Sequence, residues 1–466
     1  MEKTEIEELK KSLFLDQKET AAKASEENFA AADEFCKGYK KFLNSAKTER
    51  EAVTEALKQA KKAGFKKFSR EEKYAAGDKV YFNNRGKALC LAVIGTEKVE
   101  AGTRLSIAHV DSPRLDLKPN PLYENDGLAY FKTHYYGGIK KYQWTTIPLA
   151  LHGRVCLKNG RYVDICVGEK EDEPRFCITD LLPHLSAEQS SRKLSEAITG
   201  EGLNILIGSL PLGGDSGADM VKLNIMKILN DSYGIKEEDF LSAELEAVPA
   251  EKAYDIGFDR SMIGAYGHDD RVCAYPALRA IIEMEEAPKY TAVTVLTDKE
   301  ETGSDGNTGL QSAYMKNFIC DLAKMQGGKG RIALSNSKCL SADVNAAYDP
   351  NYPEVYEKRN SCVLGGGVCI TKYTGARGKG GTSDASAEFM AECRTIFDES
   401  NVLWQTGELG KVDIGGGGTV AKYVANLDAD VVDVGVPVLS MHAPFEIVSK
   451  LDVYMAYRAF SEFFKK

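Results

Sequence analysis

The chain alternates short apolar runs with longer helical patterns, and this alternation limits the possible folds more than any other feature. Runs of strand length are TAVTVLT at 291–297 and RIALSN at 331–336, and DDRVCAYPALRAIIEM at 269–284 is typical of a helix. Two earlier runs, ALCLAVIG at 88–95 and RLSIAHV at 104–110, also resemble strands. Because strands that alternate with helices form parallel sheets, we predict an α/β fold with a mostly parallel sheet and helices on both faces.

The segment from 113 to 250 has a different composition, with short aromatic and polar stretches punctuated by glycine. Such stretches are typical of antiparallel strands and turns. A chain of 466 residues is long enough for two or three domains. We therefore predict a mostly β domain at 113–250, inserted between two parts of the α/β domain at 1–112 and 251–466.

The charge balance bears on the class of partner. The formal net charge is −9 and the isoelectric point is near 5.5. Binding to nucleic acid requires a basic surface that neutralises phosphates, so nucleic acid is excluded as the main partner. Small molecules and peptides remain.

The N-terminal sequence and the cysteines indicate the compartment. MEKTEIEELKKSLFL carries charges where a signal peptide requires an apolar stretch, and no run approaches the roughly 18 apolar residues of a membrane span. The eleven cysteines include no C-x-x-C pair, and several lie in apolar, strand-like segments. We expect a cytoplasmic protein with reduced thiols and no membrane contact.

The strongest local motif is the pair Glu300–Glu301, which follows the run 291–297. Two adjacent carboxylates at the end of a strand can point to different sides, so one can bind a cation while the other acts on a water molecule. Taken alone, an exposed acidic loop is the simpler interpretation of such a pair. Other polar residues at similar junctions favour the first interpretation.

Four further residues follow apolar runs or open a helix. They are His109, Asp269, Asp343 and His442. Mixed imidazole and carboxylate ligands suit Zn²⁺ and also Mn²⁺ or Co²⁺. His134 and His152 lack such neighbours, and we interpret them as structural.

Three clusters of glycine resemble phosphate-binding loops in composition, but none has the sequence pattern of such a loop. The clusters at 365–367, 378–381 and 415–418 match neither the P-loop pattern nor a dinucleotide-binding fingerprint. We interpret them as turns or as loops that approach a substrate backbone closely.

Several longer motifs occur together in a fixed order. They are AHVDSPRLDLKP, YYGGI, LPHL, GHDDRVCAYPALRA, DKEETGSDG, SADVNAAYDPNYPE and GGGGTVAKYVANLDADVVDVGVPVLSMHAPFE. In this set and order the chain resembles the aspartyl aminopeptidase family, metallopeptidase family eighteen, and within it the bacterial aminopeptidase 1 type. The resemblance extends from Phe35 to the C-terminus.

The resemblance implies a co-catalytic pair of divalent metal ions, zinc first, with Mn or Co as alternatives. The implied protein ligands are His109, Asp269, Glu301, Asp343 and His442, with Asp269 bridging the two ions. His109 and Asp343 complete one site, and Glu301 and His442 complete the other. Glu300 is the implied general base, Asp111 orients His109, and a cis peptide bond joins Asp269 to Asp270.

The resemblance also implies the activity and the assembly. The activity is removal of N-terminal residues from peptides. The assembly is a homo-oligomer, a tetrahedral dodecamer of dimers clasped by the inserted dimerisation and lid domain. His184 would reach a neighbouring subunit's active site, although a structural or metal-linked role stays open.

The substrate pocket is where the resemblance weakens. Acid-specific members carry histidines in the loop that follows the metal-binding aspartate, where this chain has Asp349. Arg377 and Lys379 lie in a glycine-rich loop that also differs from those members. If these cations line the pocket, acidic substrates are favoured; if they face solvent, the pocket is neutral or, with Asp349, prefers basic residues.

Two rival functions stay open at this point. A deacylase or carboxypeptidase-like enzyme could use the same metals on a different bond. A self-assembling shell or cargo protein could retain a vestigial site.

Overall fold

The computed structural model describes residues 3–14, 24–214 and 217–466. These residues form twelve α-helices and twenty β-strands. The helices are α1 Lys3–Leu13, α2 Glu26–Ser45, α3 Glu49–Lys62, α4 Ala187–Ser191, α5 Leu194–Ala197, α6 Met220–Tyr233, α7 His268–Ile282, α8 Tyr314–Met325, α9 Gly330–Ser335, α10 Ala387–Glu399, α11 Ala421–Ala425 and α12 Lys450–Lys465.

The strands belong to three sheets. They are β1 Lys66–Lys67, β2 Lys79–Asn84, β3 Ala88–Val93, β4 Thr103–His109, β5 Arg114–Asn125, β6 Leu128–Tyr136, β7 Leu149–Cys156, β8 Tyr162–Val167, β9 Ile205–Gly208, β10 Ala243–Pro249, β11 Tyr254–Ile256, β12 Met262–Ala265, β13 Thr291–Thr297, β14 Lys338–Ser341, β15 Asn345–Ala346, β16 Val368–Thr371, β17 Trp404–Thr406, β18 Asp430–Gly435, β19 Pro437–Leu439 and β20 Glu446–Ser449.

The largest sheet has nine strands in the order β1-β2-β3-β13-β4-β14-β18-β16-β17. Its central strands β13, β4, β14 and β18 are mutually parallel, whereas β3 and β16 run antiparallel to their central neighbours. Strands β4 and β13 are buried along their whole length, as expected for strands covered on both faces. The predicted α/β fold with a mostly parallel sheet is confirmed.

Helices cover both faces of this sheet. Along β3, Leu89 and Leu91 join a core cluster that includes α2, α7 and α12. Their neighbour Cys90 joins a second cluster that includes α8 and α9. Because successive side chains of a strand point to opposite faces, the two clusters lie on opposite sides of the sheet.

The six-stranded sheet has the order β8-β7-β10-β5-β6-β9 and is built entirely from residues between Arg114 and Pro249. Its pairings are antiparallel. It has its own core cluster, in which the indole of Trp144 is fully buried. The third sheet, in the order β11-β12-β20-β19-β15, lies on the C-terminal side of that segment in sequence.

One predicted strand is a helix. Residues Gly330–Ser335 form α9, and the strand follows at Lys338–Ser341. Ala333 and Leu334 are the buried residues of α9, so the apolar run packs against the sheet as one helical turn. A short apolar run carries too little periodicity to distinguish the two.

Among residues 3–14, 24–214 and 217–466, no helix combines the length and hydropathy needed to cross a membrane.

Candidate metal centre

The central strands bring the predicted site residues to one edge of the large sheet. His109 is the last residue of β4 and pairs with Thr297, the last residue of the parallel strand β13. Three residues further on, the chain reaches Glu300. On the other side of β4, Ser341 of β14 pairs with Ile107, and Asp343 follows two residues later. Because these strands are parallel, their carboxyl ends share one edge.

Asp269 lies between the two histidines of the site. Its Oδ1 is 3.1 Å from Nε2 of His109, and its Oδ2 is 3.1 Å from Nε2 of His442. The carboxylate is buried at the start of α7. One oxygen therefore faces each imidazole, the arrangement required of a carboxylate that bridges two cations.

The other carboxylates surround these two contacts. Glu300 Oε2 and Asp343 Oδ1 are each 3.9 Å from His109 Nε2, and Glu301 Oε1 is 3.5 Å from His442 Nε2. Ligand atoms of His109, Glu300 and Asp343 lie within 4.8 Å of one another, as do those of His109, Asp269 and Glu301. The predicted ligands thus form one contiguous cluster.

The protonation of the histidines fits metal binding. Nδ1 of His109 donates to the main-chain oxygen of Asp111 at 3.0 Å, and Nδ1 of His442 donates to that of Gly138 at 2.8 Å. In the neutral ring, this leaves the Nε2 lone pair of each histidine directed at Asp269. A metal ion bound between each Nε2 and the Asp269 carboxylate would satisfy both groups.

Two unpaired oxygens give a second test of the fit. Asp269 Oδ1 and Glu301 Oε1 are buried and receive no hydrogen bond from any described residue. Buried carboxylate oxygens without a donor cost free energy unless a cation or a proton satisfies them. The donor set therefore fits divalent metal ions.

Asp111 organises this edge of the sheet. Its Oδ1 and Oδ2 accept the backbone N–H groups of Glu300 and Glu301, each at 3.2 Å. Its Oδ2 also accepts the Tyr136 hydroxyl at 2.8 Å. Because Asp111 additionally contacts His109, one buried carboxylate fixes the acidic pair relative to a histidine.

Glu446 also orients site residues through their backbone N–H groups, a role that was not predicted from the sequence. Its Oε1 accepts the backbone N–H of His442 at 2.8 Å, and its Oε2 accepts that of Asp269 at 3.1 Å. The residue is buried in β20. Its position at the end of the long C-terminal motif, four residues after His442, was the available signal.

Residues of the 113–250 segment also reach the site. Gly138 accepts the hydrogen bond from His442, and Gly137 packs against Glu301. A β-carbon at Gly137 would lie 3.1 Å from Glu301 Oε2, and the backbone there has φ of +74°. Both features require glycine. The YYGGI motif therefore closes one side of the cluster.

Burial and crowding shift the ionisation of the carboxylates. Burial raises the pKa of Glu300 to about 7, and burial together with Asp269 raises that of Glu301 well above its usual range. For His442, burial lowers the pKa, but the hydrogen bond with Asp269 outweighs it and raises the pKa to about 10. The buried, crowded carboxylates thus favour positive charge at this site.

The start of α7 has an unusual backbone. The peptide bond between Asp269 and Asp270 is cis, as the family resemblance implies. Oδ2 of Asp270 accepts the N–H of His109 at 3.3 Å, a contact that the sequence did not indicate.

The remaining predicted residues lie outside this cluster of contacts. His184 is exposed in the short 3-10 helix Pro183–Leu185. Lys379 pairs with Asp384 at 2.8 Å and lies over the Tyr373 ring at 3.7 Å. Arg377 is exposed. Asp349 accepts the N–H of Asn351 at 2.9 Å.

Comparisons with known proteins identify the family. The family model described as aminopeptidase I zinc metalloprotease (M18) matches residues 42–464. A relative from Clostridium acetobutylicum named "Probable M18 family aminopeptidase 1" is 53% identical over 95% of this chain and 96% of its own length.

Solved structures share the fold. A crystal structure of an M18-family aminopeptidase from Thermotoga maritima has a TM-score of 0.92 and 44% identity, covering 97% of this chain and 100% of that one. Aminopeptidase I from Clostridium acetobutylicum has a TM-score of 0.86 and 49% identity, covering 92% and 94%. The match along nearly the whole chain and the clustered histidines and carboxylates lead to one conclusion: this chain belongs to the M18 family of aminopeptidase I zinc metalloproteases.

Proposed function

We propose that this chain is a co-catalytic, two-metal aminopeptidase that removes N-terminal residues from peptides, with Glu300 as general base. The observation that carries the proposal is the position of Asp269, whose two oxygens each lie 3.1 Å from a different histidine. A carboxylate used in this way suits two adjacent cations. The description of the family as zinc aminopeptidases supports the same activity.

The donor set supports zinc, with Mn or Co as alternatives. His109 and Asp343 would hold one ion, Glu301 and His442 would hold the other, and Asp269 would contribute to both positions. When bound, the ions would supply Lewis acidity toward water and the scissile carbonyl group, and positive charge that holds the free amino end of the peptide. This need for a free amino group accounts for exopeptidase activity.

Glu300 moves the proton. Its backbone is held by Asp111, and its carboxylate lies 3.9 Å from His109 Nε2. From this position the Glu300 carboxylate accepts a proton from the attacking water and passes it to the leaving amine. Asp111 is a positioning residue, because it fixes both His109 and the acidic pair.

The six-stranded sheet supports a separate domain at 113–250, inserted between catalytic parts at 1–112 and 251–466. The hydrogen bond that Gly138 accepts from His442 supports a role for this domain at the active site. We propose that it also makes the dimer contacts of a tetrahedral dodecamer. A solved relative at 22% identity is titled a yeast mApe1 dodecamer, and assembly would bring the exposed His184 to a neighbouring active site.

Substrate panels test the proposal against its rivals. An aminopeptidase cleaves aminoacyl anilides and unblocked peptides but not N-acetylated ones, whereas a deacylase or carboxypeptidase-like enzyme does not require a free amino group. Metal-depleted protein should regain activity when titrated with Zn²⁺, Mn²⁺ or Co²⁺. Absence of peptidase activity after full metal loading would support the vestigial-site alternative.

A further inference from the structure

A second cluster of metal-ligating side chains lies at the edge of the six-stranded sheet. Ligand atoms of Glu51, His152 and Cys166 lie within 4.8 Å of one another. Glu51 belongs to α3, His152 to β7 and Cys166 to β8. These residues take no part in the proposed catalytic mechanism. We propose that they form a separate zinc-binding site.

The strand register places the histidine and the cysteine together. His152 pairs directly with Cys166 on the neighbouring antiparallel strand, and residues paired in this way have adjacent side chains on one face of the sheet. The imidazole is 2% exposed, whereas Cys166 is exposed on the edge strand β8. A metal ion can therefore enter from solvent at the thiol and reach a buried ring nitrogen.

The histidine is oriented as a metal ligand normally is. Its Nε2 lies 3.1 Å from Glu169 Oε1, and its Nδ1 lies 2.8 Å from Glu51 Oε1. Ligating histidines usually donate their other ring N–H to a carboxylate, which fixes the ring and strengthens the ligand. Here Glu169 would hold Nε2–H while Nδ1 faces the proposed ion.

Glu51 is also pre-oriented. Its Oε2 accepts the backbone N–H groups of Lys47 and Thr48 at 3.0 and 3.1 Å, which leaves Oε1 directed at His152. Lys47 is the cation nearby; its Nζ lies 3.3 Å from Glu169 and donates to the carbonyls of Pro249 and Glu251. These two hydrogen bonds keep the Lys47 ammonium group next to Glu169.

The chemistry of the three ligands selects the metal. A thiolate, an imidazole and a carboxylate together suit Zn²⁺, and the exposed thiol leaves a fourth position for water. Both ring nitrogens lie within hydrogen-bond distance of a carboxylate. Because a metal ion is bound by the thiolate and by an unprotonated ring nitrogen, its binding is coupled to proton release. The bound ion would join α3 to two strands of the inserted sheet.

Cobalt distinguishes this site from the catalytic one, whose proposed ligands include no sulfur. Metal-depleted full-length protein is titrated with Co²⁺, and thiolate-to-cobalt charge-transfer absorption is recorded. We expect a band whose final intensity corresponds to one thiolate-bound cobalt ion per chain, which disappears in Cys166→Ala and persists in Cys156→Ala. Cys156 is a suitable control because it is also exposed and also lies on this sheet.

A second variant tests the role of Glu169, the carboxylate that contacts His152 Nε2. Glu169→Gln should retain the band but weaken cobalt binding by about 10- to 100-fold, the usual effect of losing such a partner. Absence of the band in the unmodified chain, or a band that survives Cys166→Ala, would overturn the proposal. Neither result depends on peptidase activity, so failure here is separate from failure of the proposed function.

Discussion

Nδ1 of His442 donates a hydrogen bond to the main-chain oxygen of Gly138, 2.8 Å away. This contact selects the tautomer of His442 whose Nε2 lone pair faces Asp269 and Glu301. It also links the 113–250 segment to the metal centre, because Gly138 follows β6 of the six-stranded sheet. The geometry of one proposed ligand therefore depends on a turn in the inserted segment.

The adjacent Gly137 gives a test of this dependence. Gly137→Ala would bring a β-carbon to 3.1 Å from Glu301 Oε2 and 3.3 Å from Glu301 Cβ. We expect Glu301 to shift, so that one catalytic ion is bound less tightly, total metal content falls below that of the unmodified chain, and activity falls with it. Gly127→Ala is the matched control, since Gly127 has φ of +75° and no atom within 4 Å of an added β-carbon. Equal metal content in the two variants would contradict this prediction.

The role of Glu300 predicts a loss of turnover without a loss of metal. In Glu300→Gln the side chain keeps its size and its backbone contact with Asp111 but no longer accepts a proton. Activity should fall by at least about 100-fold, the effect typical of a lost general base. Metal analysis should give the same number of ions per chain as the unmodified protein. Near-normal kcat in this variant would assign the base elsewhere.

The proposed bridging role of Asp269 predicts a difference between the ligand variants. Asp269→Ala should empty both metal positions, because the carboxylate faces both histidines. His109→Ala and His442→Ala should each weaken mainly one position. Metal content per chain is the measurement, with circular dichroism to check folding. A total metal content in Asp269→Ala equal to that of the unmodified chain would refute the bridge.

Some strand ends could be predicted from the sequence because His109 and the Glu300–Glu301 pair lie at or just after apolar runs of strand length. The run 291–297 predicts β13 with its observed bounds, and the Glu300–Glu301 pair follows from that boundary. A strand that is buried on both faces is apolar along its whole length, so the first polar residues after it mark where the strand ends. Only the three-dimensional structure shows which carboxylate contacts which histidine.

The contacts that orient the proposed ligands could not be predicted from the sequence. Glu446 contacts Asp269 across 177 residues of sequence, and Tyr136 contacts Asp111 from another sheet. Periodicity describes one element at a time, so it carries no information on such pairs. The prediction of a strand at 331–336 was wrong for a related reason. Whether a short apolar run forms a helix or a strand depends on the tertiary contacts that bury it.

The proposed dodecamer predicts that residues 135–144 lie at an interface. Tyr135 and Tyr142 are 41% and 40% exposed, whereas Trp144 is fully buried. Aromatic residues are enriched at interface cores, so Tyr142→Glu should shift the mass measured by light scattering toward smaller species without unfolding the chain. Trp144 belongs to the core and is unsuitable for this test. A fully active monomer of the unmodified chain would refute the proposed assembly.

The final prediction concerns the preferred N-terminal residue of the substrate, which depends on whether Arg377 or Lys379 reaches the pocket. Lys379 is already paired with Asp384 and lies over Tyr373, and Arg377 is exposed.

A cation that lined the pocket would favour acidic substrates through charge-assisted hydrogen bonds, which contribute about 1.5 to 3 kcal/mol. Because Lys379 already has an acidic partner, we expect neutral or basic residues to be preferred, with Asp349 repelling acidic ones. The measurement is kcat/KM for aspartyl, leucyl and lysyl anilides in the unmodified chain and in Arg377→Ala, Lys379→Ala and Asp349→Asn. Asp349→Asn should raise the aspartyl value relative to the lysyl value. A dominant aspartyl preference that disappears in Arg377→Ala or Lys379→Ala would show instead that one of these cations binds the substrate side chain.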